Sequence, residues 1–129
     1  MSFIMDVSEV MSKVVVIDDK VYVRDAVRIM SDKNIGSLIV ISDGSIKGII
    51  TERDVLKNIN KVNNKLSSIM SKRVITIEAD ADVKDAVKLM VQNKIKRIPV
   101  LDKGKLVGLV SVTDLIAYAE VDSDEFIFN

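Results

Sequence analysis

The sequence predicts an α/β (α+β) fold made of two tandem β-α-β-β-α repeats, and three observations carry that prediction. The first is internal duplication. When Arg24 to Leu56 is laid on Lys84 to Ile116, nine positions coincide: Asp25/Asp85, Ala26/Ala86, Val27/Val87, Met30/Met90, Ile35/Ile95, Val40/Val100, Gly44/Gly104, Gly48/Gly108 and Asp54/Asp114. Ordinary residue usage gives roughly two matches over that length, and so long a period marks a repeated supersecondary unit. The second observation is that apolar periodicity alternates between strand and helix in the same order in both halves. The third is a glycine-to-aspartate motif that ends each half.

In the first half Val14 to Ile17 is a short β-branched run, read as a strand. Val23, Ala26, Val27 and Met30 then recur at helical spacing, and that helix is expected to stop near Asn34 or Gly36. Leu38 to Ile41 and Ile46 to Ile50 are the next strands, joined by the turn Ser42-Asp43-Gly44-Ser45. Glu52 to Ile59 returns to helical patterning. The second half repeats the order: strand Val74 to Ile77, helix Val83 to Asn93, strands Ile98 to Leu101 and Leu106 to Val110, helix Val112 to Ala119. Short helical lead-ins, Ser8 to Met11 and Ser67 to Met70, precede each half. The polar segment Asn58 to Lys65 carries no core pattern and reads as the linker. Lys13 to Asp25 spans one residue fewer than Lys72 to Asp85, a difference expected in the loop entering the first helix. The organisation expected is one repeat over 1–60 with its lead-in, a second over 61–119, and a tail over 120–129.

Composition narrows the chemistry. At 129 residues the chain is one typical domain, and each half alone is of a size at which a solitary core is marginal, so the halves are expected to pack on each other. Cysteine and histidine are both absent, which removes disulfides, thiolate metal sites and the usual acid/base residue together. Nineteen basic and nineteen acidic residues cancel, and aromatics are few. There is no basic footprint and no stacking platform of the kind nucleic-acid binding uses. Apolar runs are too short to span a bilayer and Met1 to Met5 is too short for a signal sequence, so the expectation is a soluble, cytoplasmic protein with no membrane contact. Yet 48% of residues are hydrophobic, high for a small monomer, which points to apolar surface covered by a partner.

The chemistry is concentrated where the third strand of each half ends. Gly48-Ile49-Ile50-Thr51-Glu52-Arg53-Asp54 and Gly108-Leu109-Val110-Ser111-Val112-Thr113-Asp114 both read glycine, two apolar residues, a hydroxyl, two variable residues, aspartate. A hydroxyl three residues before an acid at a helix start is a capping box. The same aspartate, beside free amides, also suits a ribose diol, with the amides and hydroxyls receiving phosphate. Both uses are compatible. A second element is Ile95-Lys96-Arg97-Ile98-Pro99-Val100, with the only proline of the chain. It reads either as a solvated basic pair leading into a strand, with Pro99 where no ladder donor is needed, or as a guanidinium fork for phosphate. The aligned Ile35-Gly36-Ser37-Leu38-Ile39-Val40 has neither, so the halves are not equivalent.

With these residues the chain resembles a tandem pair of CBS domains, a Bateman module, from about Asp6 to Ala119 in element order, duplication, linker and both motifs. The resemblance implies two repeats packed through their sheets about a pseudo-twofold axis, with two clefts between them. In the first cleft it implies Asp54 at a ribose and Thr51 and Arg53 near phosphate, facing Val74 and Ile75 along an adenine, Lys96 and Arg97 at phosphate, and Pro99 against the base. In the second it implies Asp114, Ser111 and Thr113, facing Val14, Val15, Gly36, Ser37 and Ile39. The family often has proline where Ile39 stands, which with Ser37 in place of arginine makes the second cleft the weaker for polyphosphates. The implied function is a regulatory module sensing an adenine nucleotide (AMP, ADP or ATP) and signalling to a separate effector protein. No catalytic cofactor, metal or enzymatic activity is expected, because no nucleophile, base and oxyanion-donor set is visible. The alternatives are a structural dimerisation module with degenerate clefts, S-adenosylmethionine binding, or nucleic-acid binding, which the neutral charge weakens. A homodimer of four repeats in a flat disc is expected, from the apolar helix residues Val55, Leu56, Ile59, Leu115, Ile116 and Ala119. The apolar trio Phe126, Ile127 and Phe128 suggests a docking tail.

Overall fold

The structure, a computed structural model, describes residues 5–119. Phe126 to Phe128 and the rest of the expected tail lie outside the described residues.

Each half forms its own three-stranded sheet. In the first, β1 (Val16–Asp18) runs parallel to β2 (Ser37–Ser42) after the helix α1 (Val23–Lys33), and β3 (Ser45–Thr51) returns antiparallel to β2 before α2 (Glu52–Lys57). In the second, β4 (Ile77–Glu78), α3 (Val83–Asn93), β5 (Arg97–Asp102) and β6 (Lys105–Ser111) repeat that order, and residues 112–119 form the last helix, α4. The β-α-β-β-α reading of both halves is therefore realised. Asn34 and Lys94 end α1 and α3 in the left-handed conformation, at φ of 52° and 54°. The two hairpins turn through Asp43-Gly44 and Lys103-Gly104, all four residues at positive φ, which matches the twist of the flanking strands.

The cores form by the same arithmetic in each half. Val23, Ala26 and Met30 are the buried stripe of α1, and Val83, Ala86 and Met90 that of α3. The first stripe packs against Leu38, Val40 and Ile50, and Ala86 and Met90 of the second pack against Ile98, Val100 and Val110. Ile39 and Pro99, which point to the opposite side of their strands, are also fully buried.

The chain divides into two compact units, one of Val14–Val74 and one that joins the residues up to Lys13 to those from Ile75. Each short helical lead-in is a single 3-10 turn, Val7–Glu9 or Leu66–Ser68, that begins one residue before the stretch expected. Leu66 and Ile69 complete the core of β1 to α2, whereas Val7, buried completely, belongs to the core of the second repeat, with Val10 and Met11 packed beside it.

Three expectations are corrected. The linker, expected to carry no core pattern, packs Val62 against the first core; a 3-10 turn spans Ile59–Lys61, and the carbonyls of Asn64 and Val62 accept from the Val23 and Arg24 amides at 2.9 Å each. These are first-turn donors of α1 that have no partner inside the helix. Met5 does the same for α3, its carbonyl accepting from the Val83 amide at 2.9 Å. The helix after β3 stops at Lys57, two residues early: Asn58 leaves helical geometry, and its side-chain Nδ2 donates back to the Asp54 carbonyl at 2.8 Å. The one-residue difference between the halves lies before the first strand, not in the loop entering the helix. Ser12 and Ser71 bridge to Leu109 and Ile49, positions equivalent in β6 and β3, and Ile17 and Ile77 pair with the equivalent Val40 and Val100, so the extra residue falls between Ser71 and Ile77.

Candidate functional site

The glycine-to-aspartate motif is a strand that becomes a helix without a loop. In β3 the backbone stays extended through Thr51, which is the N-cap of α2. Thr51 Oγ1 accepts from the Asp54 amide at 3.3 Å, and Asp54 Oδ2 accepts from the Thr51 amide at 2.9 Å and from Thr51 Oγ1 at 3.0 Å. Ser111 and Asp114 reproduce the arrangement at 3.1, 2.9 and 3.0 Å. The capping box is thus formed in both halves, and it orients each carboxylate by saturating one oxygen. The other oxygen differs. Asp114 Oδ1 accepts from Ser12 Oγ at 2.5 Å, while no described residue donates to Asp54 Oδ1.

The glycines have a mechanical reason. A Cβ at Gly48 would stand 2.7 Å from the Ser71 carbonyl oxygen and 2.8 Å from Met70 Sδ, and one at Gly108 would stand 2.5 Å from Met11 Sδ and 3.1 Å from the Ser12 carbonyl oxygen. Only glycine lets each lead-in lie against its third strand, with paired hydrogen bonds of 2.8 to 3.0 Å between Ser12 and Leu109 and between Ser71 and Ile49.

The second strand of each sheet brings its first residues to the same place. Ser37 is in register with Thr51 and Arg97 with Ser111. The first helical amides close the corner, Glu52 N donating to the Gly36 carbonyl at 3.1 Å and Val112 N to the Lys96 carbonyl at 3.0 Å. Ser37 is buried, Gly36 and Arg97 are half-buried, and Lys96, Arg53 and Thr113 are exposed. On the far side of β2 the Ile39 amide donates to the Val15 carbonyl at 3.0 Å. Pro99 has no amide to donate, and β4 is one residue shorter than β1. Val14, Val15, Val74 and Ile75 are half-buried.

One unit therefore assembles Thr51, Arg53 and Asp54 with Gly36 and Ser37, and sets Val15 beside Ile39. The other assembles Ser111, Thr113 and Asp114 with Lys96, Arg97 and a residue that sequence reasoning missed, Ser12. The signal for it was present: Met11-Ser12-Lys13 recurs as Met70-Ser71-Lys72. Separately, α1 and α2 frame an open apolar groove of about 380 Å³, lined by Val27, Met30, Ile35, Val55 and Leu56 among others, and neither motif hydroxyl nor carboxylate lines it. Among the described residues no group of three or more His, Cys, Asp or Glu could hold a metal ion, and no helix is long and apolar enough to cross a membrane.

A sequence profile of the CBS domain matches residues 7–61 and again 66–120. The chain belongs to the CBS domain family. It is 36% identical over 108 residues to an uncharacterized 17.7 kDa protein of Acidianus ambivalens, covering 81% of this chain and 66% of that one. It is 37% identical over 109 residues to the mitochondrial CBS domain-containing protein CBSX3 of Arabidopsis thaliana, covering 77% and 52%. The chain thus spans between about half and two thirds of the length of these curated relatives. Among solved structures, the CBS domain pair of protein MJ0100 in complex with 5'-methylthioadenosine and S-adenosyl-L-methionine superimposes with a TM-score of 0.85 at 26% identity, covering 92% of this chain and 98% of that one. The CBS domain protein NE2398 gives 0.83 at 28% identity, covering 91% and 98%. A CBS pair is a regulatory module, and the tandem CBS reading of the sequence stands.

Proposed function

We propose that this CBS pair senses an adenosine nucleotide, AMP, ADP or ATP, and passes its bound state to a separate effector protein without catalysing a reaction. The observation that carries the proposal is Asp54. Its carboxylate is oriented by the capping box through Oδ2, and Oδ1 stays available beside a hydroxyl and the start of a helix. That is what a ribose diol needs: a fixed acceptor whose position does not have to be organised on binding. The joint use of residues from both repeats implied by the family, Asp54, Thr51 and Arg53 with Val74, Ile75, Lys96, Arg97 and Pro99, and Asp114, Ser111 and Thr113 with Val14, Val15, Gly36, Ser37 and Ile39, is part of this proposal. So are a homodimeric assembly and a cytoplasmic location.

A second reading has a specific observation in its favour. The structurally similar MJ0100 pair is described with S-adenosyl-L-methionine and 5'-methylthioadenosine, ligands that share the adenosine diol but lack phosphate. The discriminating experiment is thermal unfolding of the purified chain against AMP, ADP, ATP, GTP and S-adenosylmethionine, since a ligand that binds only the folded state raises its apparent stability by mass action. A shift with the adenine nucleotides supports the first reading and a shift with S-adenosylmethionine alone the second. No shift with any of them defeats both.

A further inference from the structure

The two carboxylates of the repeated motif are held alike at one oxygen and differently at the other. A carboxylate offers about four acceptor positions, two on each oxygen. On Asp114, Oδ2 accepts from both the amide and the hydroxyl of Ser111, which fills it. Oδ1 accepts from Ser12 Oγ, across a sequence separation of 102 residues, and is left with one position. On Asp54, Oδ2 is filled in the same way by Thr51, but Oδ1 keeps both positions among the described residues. A vicinal diol donates two hydrogen bonds. Asp54 can take both, and Asp114 can take both only if Ser12 lets go.

The repeat makes the difference informative. Ser12 and Ser71 occupy the same place in the identical tripeptides Met11-Ser12-Lys13 and Met70-Ser71-Lys72, each bridged by a pair of backbone hydrogen bonds to its third strand. Both carry the hydroxyl and both are exposed, yet only that of Ser12 reaches a carboxylate.

We propose that Ser12 is an internal competitor for a diol at Asp114, so that the Asp54 site fills first and occupation of Asp114 requires the lead-in to release its hydroxyl. The inference rests on the reading of Asp54 and Asp114 as diol acceptors. Ser12 is exposed and regains water when released, so the handicap falls at the low end of the range for a hydrogen bond to a charged group, about ten-fold in affinity.

The test is calorimetric titration of the full chain with AMP and, in parallel, with S-adenosylmethionine, on the wild type and on Ser12→Ala, Ser12→Thr, Asp54→Asn and Asp114→Asn. The expected result is a tight site lost in Asp54→Asn and a weaker one lost in Asp114→Asn. Ser12→Ala should tighten the weaker site about ten-fold, or reveal it where the wild type shows one site, and leave the tight site alone. Ser12→Thr keeps a hydroxyl and should behave as the wild type. Unchanged affinities in Ser12→Ala, with the two aspartate variants still removing one site each, overturn the inference and leave the diol reading standing. Absence of heat with both ligands in the wild type and in Ser12→Ala overturns the diol reading, and the inference falls with it.

Discussion

Asp54 has two jobs that a single substitution can separate. Its Oδ2 closes the capping box on Thr51, and its Oδ1 is the acceptor proposed for the ligand. Asparagine at this N3 position keeps a side-chain oxygen for the Thr51 amide but loses the charge, so Asp54→Asn should weaken adenosine-ligand binding at its site by about ten-fold or more, enough to take that site out of the titration. Its melting temperature should stay close to that of the wild type. Calorimetry and thermal unfolding on the same preparation check both halves of the statement. A second carboxylate offers the opposite lesson. Asp19, in the turn after β1, holds one oxygen buried without a hydrogen-bond partner among the described residues, and the second repeat has Ala79 at the equivalent place, its amide making the same bond to the sheet. Removing an unsatisfied buried acceptor relieves its desolvation cost, so Asp19→Ala should raise stability by about 1 kcal/mol in urea unfolding. A loss of stability would show that the oxygen is satisfied in solution.

At the scale of elements, the third strands owe their contact with the lead-ins to one missing methyl group each. Gly48→Ala sets the new Cβ against a backbone carbonyl, which cannot swing aside, while Gly108→Ala meets chiefly the flexible end of Met11. Overpacking of this kind costs about 1 to 3 kcal/mol. The expected ranking is that Gly48→Ala lowers the urea midpoint more than Gly108→Ala, and an equal or inverse ranking would contradict the geometry. Most elements were legible in the sequence because their causes are local. The spacing of Val83, Ala86 and Met90 gave α3 to the residue, and Asp43-Gly44 specified its hairpin. The capping boxes could be read from a hydroxyl and an acid three residues apart. What escaped was non-local. Nothing in the composition of Asn58 to Lys65 says that its carbonyls cap α1, and nothing around Val7 says which core it enters. Ser12 escaped for the same reason, since its hydroxyl matters only through a residue about a hundred positions away.

For the whole molecule, the apolar excess in the composition can now be assigned. Val55 is a core residue and Leu115 packs against the core, so neither belongs to a free face. Leu56 and Ile59 in one unit, and Val91 and Ile116 in the other, are exposed, with 72, 63, 72 and 54% of their surface open. Leu56 and Ile116 are equivalent positions of the two repeats, and a symmetric homodimer is the commonest way to cover such side chains. Light scattering at micromolar concentration should give twice the chain mass, and Leu56→Asp with Ile116→Asp should give the monomer with folded circular dichroism intact. A wild-type monomer would remove dimerisation from the proposal.

The placement of Val7 in the core built on β4, β5 and β6 also dictates an order of assembly. The unit from Val14 to Val74 closes on contiguous chain, whereas the other must bring together segments about a hundred residues apart, a slower search whose loop entropy grows with the logarithm of the span. During synthesis the apolar side chains of Val7, Val10 and Met11 emerge long before Val110, the last strand residue of that core, and have no core of their own to enter until then. The first repeat is therefore complete while the segment made just before it is still waiting, and refolding from urea should show two phases, the slower one reporting on the second repeat.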